Sequence, residues 1–274
     1  MNVHHIISEI EKTDPEVYER LDSRRNSIKN FSGFAGKIAL AAVPIALGSL
    51  FKKAYGQTST SILDVLNYAL TLEYLEAEFY QKGNQAGSAL IPTMPAQQAL
   101  STIGAHETAH VNFLKAAITA SGGTPVSKPN FDFTAGGTFA DVFTNYQTFL
   151  AVAQTFEDTG VRAYKGQAAN LISNNDVLTA ALNIHSVEAR HASHIRQMRK
   201  AAGFGDVKPW ITGKNTGIGS VVQASYNGEE ITMQAGIEIT NINNTNVNAD
   251  AASEAFDEPL SMQEVLAIVT PFLM

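Results

Sequence analysis

The pattern Glu-x-x-His occurs twice, as Glu107-Thr108-Ala109-His110 and Glu188-Ala189-Arg190-His191. Each copy follows a segment of helical periodicity that carries one carboxylate among apolar neighbours, Glu73 in LTLEYL and Glu157 in AQTFED. Residues three apart on a helix project from one face, so the Glu and His of each pair can reach a common point. With 16 Glu and 7 His in the chain, chance gives about 0.4 such matches, so two suggest a purpose. A lone buried charge costs several kcal/mol, whereas two divalent cations offset the repulsion of four converging carboxylates. The pattern suggests an all-α core in which four helical segments share an interior. Glu73, Glu107, His110, Glu157, Glu188 and His191 are the candidate metal ligands and the candidate catalytic set.

Hydrophobic spacing and breakers place the four helices. The first spans residues 61–82, with Ile62, Leu63, Leu66, Ala69, Leu70 and Leu72 at helical spacing and Gly83 as a stop. The second spans residues 95–121 and ends at Gly122-Gly123-Thr124-Pro125. Residues 131–137 read as a connection, after which Thr138 caps a third helix continuing to about Leu171. Asn174 or Asn175 caps the fourth, which ends before Gly203. Two helical hairpins are therefore joined by one long crossover.

The first and third helices align at a spacing of 84 residues, which selects Glu73 over its neighbours. Glu73 is followed seven residues later by Tyr80 and Glu157 by Tyr164; Leu66, Ala69 and Thr71 meet Leu150, Ala153 and Thr155. Glu76 meets Gly160 and Glu78 meets Arg162, so both acids are read as solvated or supporting groups outside the ligand set. Tyr80 and Tyr164 either hydrogen-bond the ligating carboxylates or fill core space. His106, His185 and His194 are read as ordinary surface or core histidines.

The absence of cysteine excludes disulfides, thiolate zinc sites and cysteine-held iron–sulfur clusters, so any metal is bound by nitrogen and oxygen. Composition, 45% hydrophobic and 16% charged, is that of one principal globular domain. Charge is unevenly placed: residues 23–56 hold Arg24, Arg25, Lys29, Lys37, Lys52 and Lys53 with no acid. The apolar run at residues 38–51 is shorter than the roughly 20 residues that span a bilayer, and Pro44 interrupts it. Paired arginines, an apolar run and then the small residues Ala54 and Gly56 resemble a twin-arginine export signal, with Ser27 where Phe is usual. The expected organisation is a leader at residues 1–56, a bundle at 57–204 and an extension at 205–274 packed on the bundle. The implied location is periplasmic, with no stable membrane span once the leader is removed. Removing the leader, with eight basic and six acidic residues, takes the net charge from −7 to −9, which disfavours nucleic acid as a partner.

From Gly205 onward Gly, Asn and Thr dominate, with a hairpin turn expected at Asn227-Gly228 and a polar stretch at residues 240–248. Ser261-Met262-Gln263-Glu264 is a capping-box pattern that introduces a short final helix. The extension is therefore mostly irregular.

One Glu from each of two helices and Glu-x-x-His from each of the other two is the ligand set of ferritin-like di-iron and di-manganese proteins. Over residues 61–202 the chain resembles that superfamily, and Leu66-Asn67, Glu73 and Tyr80 are similar to the first helix of bacterioferritins. Ala255-Phe256-Asp257-Glu258-Pro259-Leu260 is similar to non-cage relatives, including plant desiccation-related proteins. The resemblance implies two transition-metal ions, iron first and manganese next. Glu107 and Glu188 would bridge them, Glu73 and His110 completing one site and Glu157 and His191 the other. It implies an oxidoreductase acting on oxygen, hydrogen peroxide or ferrous iron in oxidative or desiccation stress, as a ferroxidase or a manganese-catalase-like enzyme. Two other readings fit parts of the sequence: a stress-protective bundle merely braced by metal, and a zinc protease using His106-Glu107-Thr108-Ala109-His110. A storage cage is disfavoured by the long additions, and a homodimer is compatible with the sequence.

Overall fold

The computed structural model of the protein describes residues 60–242 and 245–274. The basic and apolar stretch read as an export leader lies outside the described residues. Four long helices form the core: α1 Thr60–Ala86, α2 Met94–Ala120, α3 Tyr146–Ala168 and α4 Asn175–Ala201. α1 packs along α2 and α3 along α4, the two hairpins being joined by the crossover at residues 121–145. Among the described residues no helix is long and apolar enough to cross a membrane.

Local chemistry explains where the helices begin. Thr93 caps α2 by accepting from Ala96 N, Asn145 caps α3 by accepting from Gln147 N and Thr148 N, and Asn174 caps α4 in the same way. The third helix starts later than Thr138, the expected cap. Asp132 accepts hydrogen bonds from Thr134 N, Thr134 Oγ1 and Gly136 N, and these local bonds hold the following backbone in turns rather than in a helix.

Gly83 does not stop α1, which runs on to Ala86. Its lack of a side chain serves packing instead, because a Cβ there would lie 2.3 Å from Cε2 of Phe149. Phe149 stacks on Phe79 at 4.7 Å between ring centroids, and Phe133, Phe143 and Phe156 close around the same ring. That aromatic cluster fills one end of the bundle next to Tyr80.

Every residue of α3 from Phe149 to Tyr164 is buried, although a bundle helix ordinarily keeps one polar face in water. Its outer face is covered by the segment after α4. There Arg162 donates from Nε to Glu258 O at 2.7 Å, from one terminal nitrogen to Ser225 O at 2.7 Å and from the other to Asn227 O at 2.9 Å, and it pairs with Glu229 at 2.6 Å. Arg196 clamps both oxygens of Asp158, which also accepts from Tyr226 Oη, while Arg199 donates to Gln154, Phe204 O and Gly217 O. These three arginines are almost fully buried. They convert polar positions on α3 and α4 into anchors for the covering chain.

That chain holds two short antiparallel hairpins, β1 Met233–Gln234 with β2 Ile237–Glu238 and β3 Asn241–Ile242 with β4 Thr245–Asn246. The expected hairpin at Asn227-Gly228 is absent; the first hairpin turns instead at Ala235 and Gly236, both at positive φ. Asn227 is used as a carbonyl acceptor for Arg162. α5 Ala249–Ser253 follows, and α6 Met262–Val269 begins with the anticipated capping box between Ser261 and Glu264. An antiparallel bridge between Phe131 and Leu273 then ties the segment after α6 to the crossover.

Candidate metal centre

The periodicity of the four helices turns one carboxylate from each into the bundle interior. Glu73 from α1, Glu107 from α2, Glu157 from α3 and Glu188 from α4 are all completely inaccessible to solvent. His110 and His191 lie one helical turn after Glu107 and Glu188 and face the same space. His110 Nδ1 lies 3.1 Å from Glu73 Oε2, 3.0 Å from Glu107 Oε2 and 3.1 Å from Glu188 Oε1. His191 Nδ1 lies 2.7 Å from Glu107 Oε1 and 3.4 Å from Glu157 Oε2. Glu107 therefore turns one oxygen toward each histidine.

The six residues form two overlapping groups, Glu73, Glu107, His110 and Glu188, and Glu107, Glu157, Glu188 and His191. Within each group one ligand atom per residue lies within 4.8 Å of the others. Glu107 and Glu188 belong to both. The donor set fits metal ions for a reason beyond proximity: Glu107 Oε1, Glu157 Oε2, both oxygens of Glu188 and Nδ1 of His191 are buried without a properly aligned hydrogen bond. Buried polar atoms are normally satisfied, and atoms that converge without satisfying one another could share a cation.

The electrostatics of the protein groups alone reflect the crowding. Burial raises the Glu73 carboxyl to about 7, against the lowering effect of the hydrogen bond to His110. Burial and the neighbouring carboxylates also hold Glu188 well above the ordinary range. Glu107 goes the other way: burial raises it, but hydrogen bonds from His110 and His191 bring it down to about 2. Burial lowers the His191 imidazole, yet Glu157 and Glu107 together lift it to about 10. Without cations the histidines take up protons and act as the positive charges of the site.

Two tyrosines cross the bundle to brace the carboxylates. Tyr80 on α1 donates to Glu157 Oε1 on α3, and Tyr164 on α3 donates to Glu73 Oε1 on α1. Of the two readings that the sequence left open, hydrogen bonding is the one observed. Burial and the adjacent acids keep both phenols protonated far above their ordinary range.

Two readings left open by the sequence are narrowed by the structure. His106 is exposed, as a surface histidine is, and also touches the site: its Nδ1 lies 3.0 Å from His191 Nε2, and the two rings stack at 5.2 Å. It belongs to neither ligand group, so it backs His191 from behind, which leaves the His-Glu-x-x-His protease arrangement without its first zinc ligand. Glu76 is a buried supporting group, 3% exposed, and burial, followed by the charges of Glu188, Glu157, Glu73 and Glu107, holds its own carboxyl well above the ordinary range. Glu78 is a surface group paired with Lys82 and Lys128. His185 and His194 lie outside both ligand groups.

Against known families, the profile of the ferritin-like domain matches residues 61–201, the span that holds all four helices and all six ligand candidates. The chain belongs to the ferritin-like family. No curated protein and no solved structure matches this ferritin-like chain. The family fixes the bundle and its buried acidic and histidine clusters, which could hold metal.

Proposed function

We propose that the protein is a di-metal carboxylate oxidoreductase that uses iron, or else manganese, on dioxygen, hydrogen peroxide or ferrous iron. The single observation that carries this reading is the sharing of Glu107 and Glu188 between two four-residue donor groups. Nitrogen and carboxylate oxygen in a ratio of one imidazole to three carboxylates per group suit iron or manganese, while raw affinity alone favours copper, so supply in the host decides. A redox-active metal pair, when bound, supplies the two electrons that reduction of peroxide requires.

The chain's own residues prepare that chemistry. Glu107 and Glu188 would hold both ions, Glu73 with His110 one of them and Glu157 with His191 the other. Tyr80 and Tyr164 keep their protons on Oη and fix the outer oxygens of Glu157 and Glu73, so the inner oxygens stay directed at the ions. His106 meets Nε2 of His191 and leaves its Nδ1 for the metal. Complete burial of the four carboxylates keeps bulk water from competing for the ions.

The motifs read in the sequence as resembling bacterioferritins and desiccation-related proteins favour a role in oxidative or desiccation stress, and the paired arginines ahead of an apolar run favour export to the periplasm. Elemental analysis of protein from its host, followed by oxygen-electrode and peroxide assays on the iron- and manganese-loaded forms, tests the reading. Two ions per chain with consumption of oxygen or peroxide is the expected result. Two ions with no turnover in either form would instead leave a bundle braced by metal. Replacing Arg24 and Arg25 by lysine should hold the protein in the cytoplasm; unchanged export would overturn the signal assignment.

A further inference from the structure

The two ends of the bundle interior are related by its internal symmetry but are packed differently. At the end next to Tyr80, Phe79 stacks on Phe149 at 4.7 Å and meets Phe156 edge-on at 5.2 Å. The spacing of 84 residues that relates Glu73 to Glu157 carries these three rings onto Ala163, Val65 and Leu72 at the other end. The spacing of 81 that relates Glu107 to Glu188 likewise puts Ala181 where Leu100 stands. Three phenyl rings and a leucine are thus exchanged for smaller groups, and these four residues line a chamber left between the four helices. An unfilled space of this kind costs stability that the phenylalanines of the other end recover.

The walls constrain what the chamber can hold. They are apolar except at three residues. Tyr164 turns its hydroxyl to Glu73, and Gln167 accepts from Asn170 Nδ2 at 2.9 Å. Tyr68, larger than its symmetry mate Val152, has a buried hydroxyl with no hydrogen-bond partner among the described residues. A buried water ordinarily makes about three hydrogen bonds, more than these walls return. The room for the centre of a water-sized sphere is about 20 Å³, which admits one small molecule and excludes a chain-like ligand. The chamber adjoins the Glu73–His110 group, because the Tyr164 ring lines it while the Tyr164 hydroxyl holds Glu73, and because Leu72 directly precedes Glu73.

We propose that this chamber holds dioxygen, a small molecule without hydrogen-bonding demands, and supplies it to the Glu73–His110 side of the centre. The inference rests on the di-metal reading given above and narrows its substrate class. Hydrogen peroxide, like water, would leave most of its hydrogen bonds behind on entering these walls. The two halves of the bundle become unequal, since Phe79, Phe149 and Phe156 occupy the corresponding place beside Tyr80 and Glu157.

The test uses xenon, which occupies dry apolar cavities, on the full metal-free chain, followed by oxygen and peroxide assays on the iron-loaded chain. The wild type is compared with Val65→Phe, which installs the ring found at the symmetry-related position, and with Ala163→Val; both add bulk to the chamber wall and leave every ligand in place. Crystals held under xenon should show an atom between Val65, Leu72 and Ala163 in the wild type and none in Val65→Phe. Both variants should bind two ions with wild-type affinity, while the KM for dioxygen rises at least about fivefold with kcat and the peroxide dependence unchanged. If Val65→Phe fails to fold, Ala163→Val carries the comparison. A wild-type chamber without xenon, a dioxygen KM unchanged in the variants, or a two-ion wild type that consumes peroxide but no oxygen would overturn this inference and leave the di-metal reading standing. A wild type that takes up no ion overturns both.

Discussion

Tyr80 on the first helix donates a hydrogen bond to Glu157 on the third, at 2.5 Å between oxygen atoms, and Tyr164 returns the same bond to Glu73. The two bonds are related by the internal symmetry of the bundle and cross it in opposite directions. Each ties down the outer oxygen of a carboxylate whose inner oxygen faces a histidine. Substituting either tyrosine by phenylalanine removes a donor and nothing else of the ring. Metal affinity should fall by about 10- to 100-fold in each variant, the usual range for loss of a group that orients a metal ligand. Chelator competition measures it, and affinities equal to that of the wild type would show that the phenols only fill space.

His106 contacts Nε2 of His191 on the side turned away from the ligand groups. Replacing His106 by alanine should leave two ions per chain but weaken the one held by His191 by about tenfold, since a ligand histidine without its outer partner is free to rotate. The contrasting zinc-protease arrangement makes His106 a direct ligand, so the same change would abolish binding altogether. Metal stoichiometry per chain separates the two outcomes.

What the sequence could and could not reveal follows from how each feature is encoded. Helix identity, the capping box at Ser261 and the convergence of six ligand candidates depend on spacing within single helices, and spacing is visible in a linear string. The burial of α3 on all sides depends on residues that arrive from 40 to 100 positions later, such as Tyr226 and Glu258. Nothing in AQTFEDTGVRAY states that Gln154, Asp158 and Arg162 face protein instead of water. The only local hint is acidic and basic residues four apart, Asp158 and Arg162, inside an otherwise apolar helix. Gly83 misled because a glycine that makes room for Phe149 reads the same as a glycine that ends a helix.

Arg162 is the central anchor of the chain that covers α3, with four partners drawn from residues 225–258. Burial raises the Glu229 carboxyl to about 7 even with Arg162 beside it, a sign of how dry the pair is. Removing the guanidinium alone, as in Arg162→Ala, strands Glu229 and three carbonyls and should cost about 3–5 kcal/mol of stability. Replacing both members of the pair with methionine should recover a large part of that loss, because the acid no longer lacks its partner. Chemical denaturation of the two variants measures the difference, and limited proteolysis should cut residues 205–260 first in Arg162→Ala.

Metal removal should change the sign of the protein's response to pH. In the metal-free chain Glu73 holds its proton to about pH 7 because of burial, whereas the unfolded carboxyl releases it near 4.5. Between those values the folded form binds more protons than the unfolded form, so stability declines as pH rises, by an amount on the order of 3 kcal/mol for this group. His191, lifted to about 10 by Glu157 and Glu107 against its burial, contributes in the same direction: its stabilisation is complete below 6.5 and disappears as pH passes 10. Glu107 opposes them only in acid, where stability is lost as pH falls from 4.5 through about 2. Cations reverse the trend above pH 5, because the ligands must shed these protons to bind them and binding tightens as pH rises. The Tm of the chelator-treated protein should therefore fall from pH 5 to pH 8, while the rise in Tm on adding manganese(II) grows over the same interval. Parallel curves with and without metal would mean that the buried carboxylates do not exchange their protons for ions.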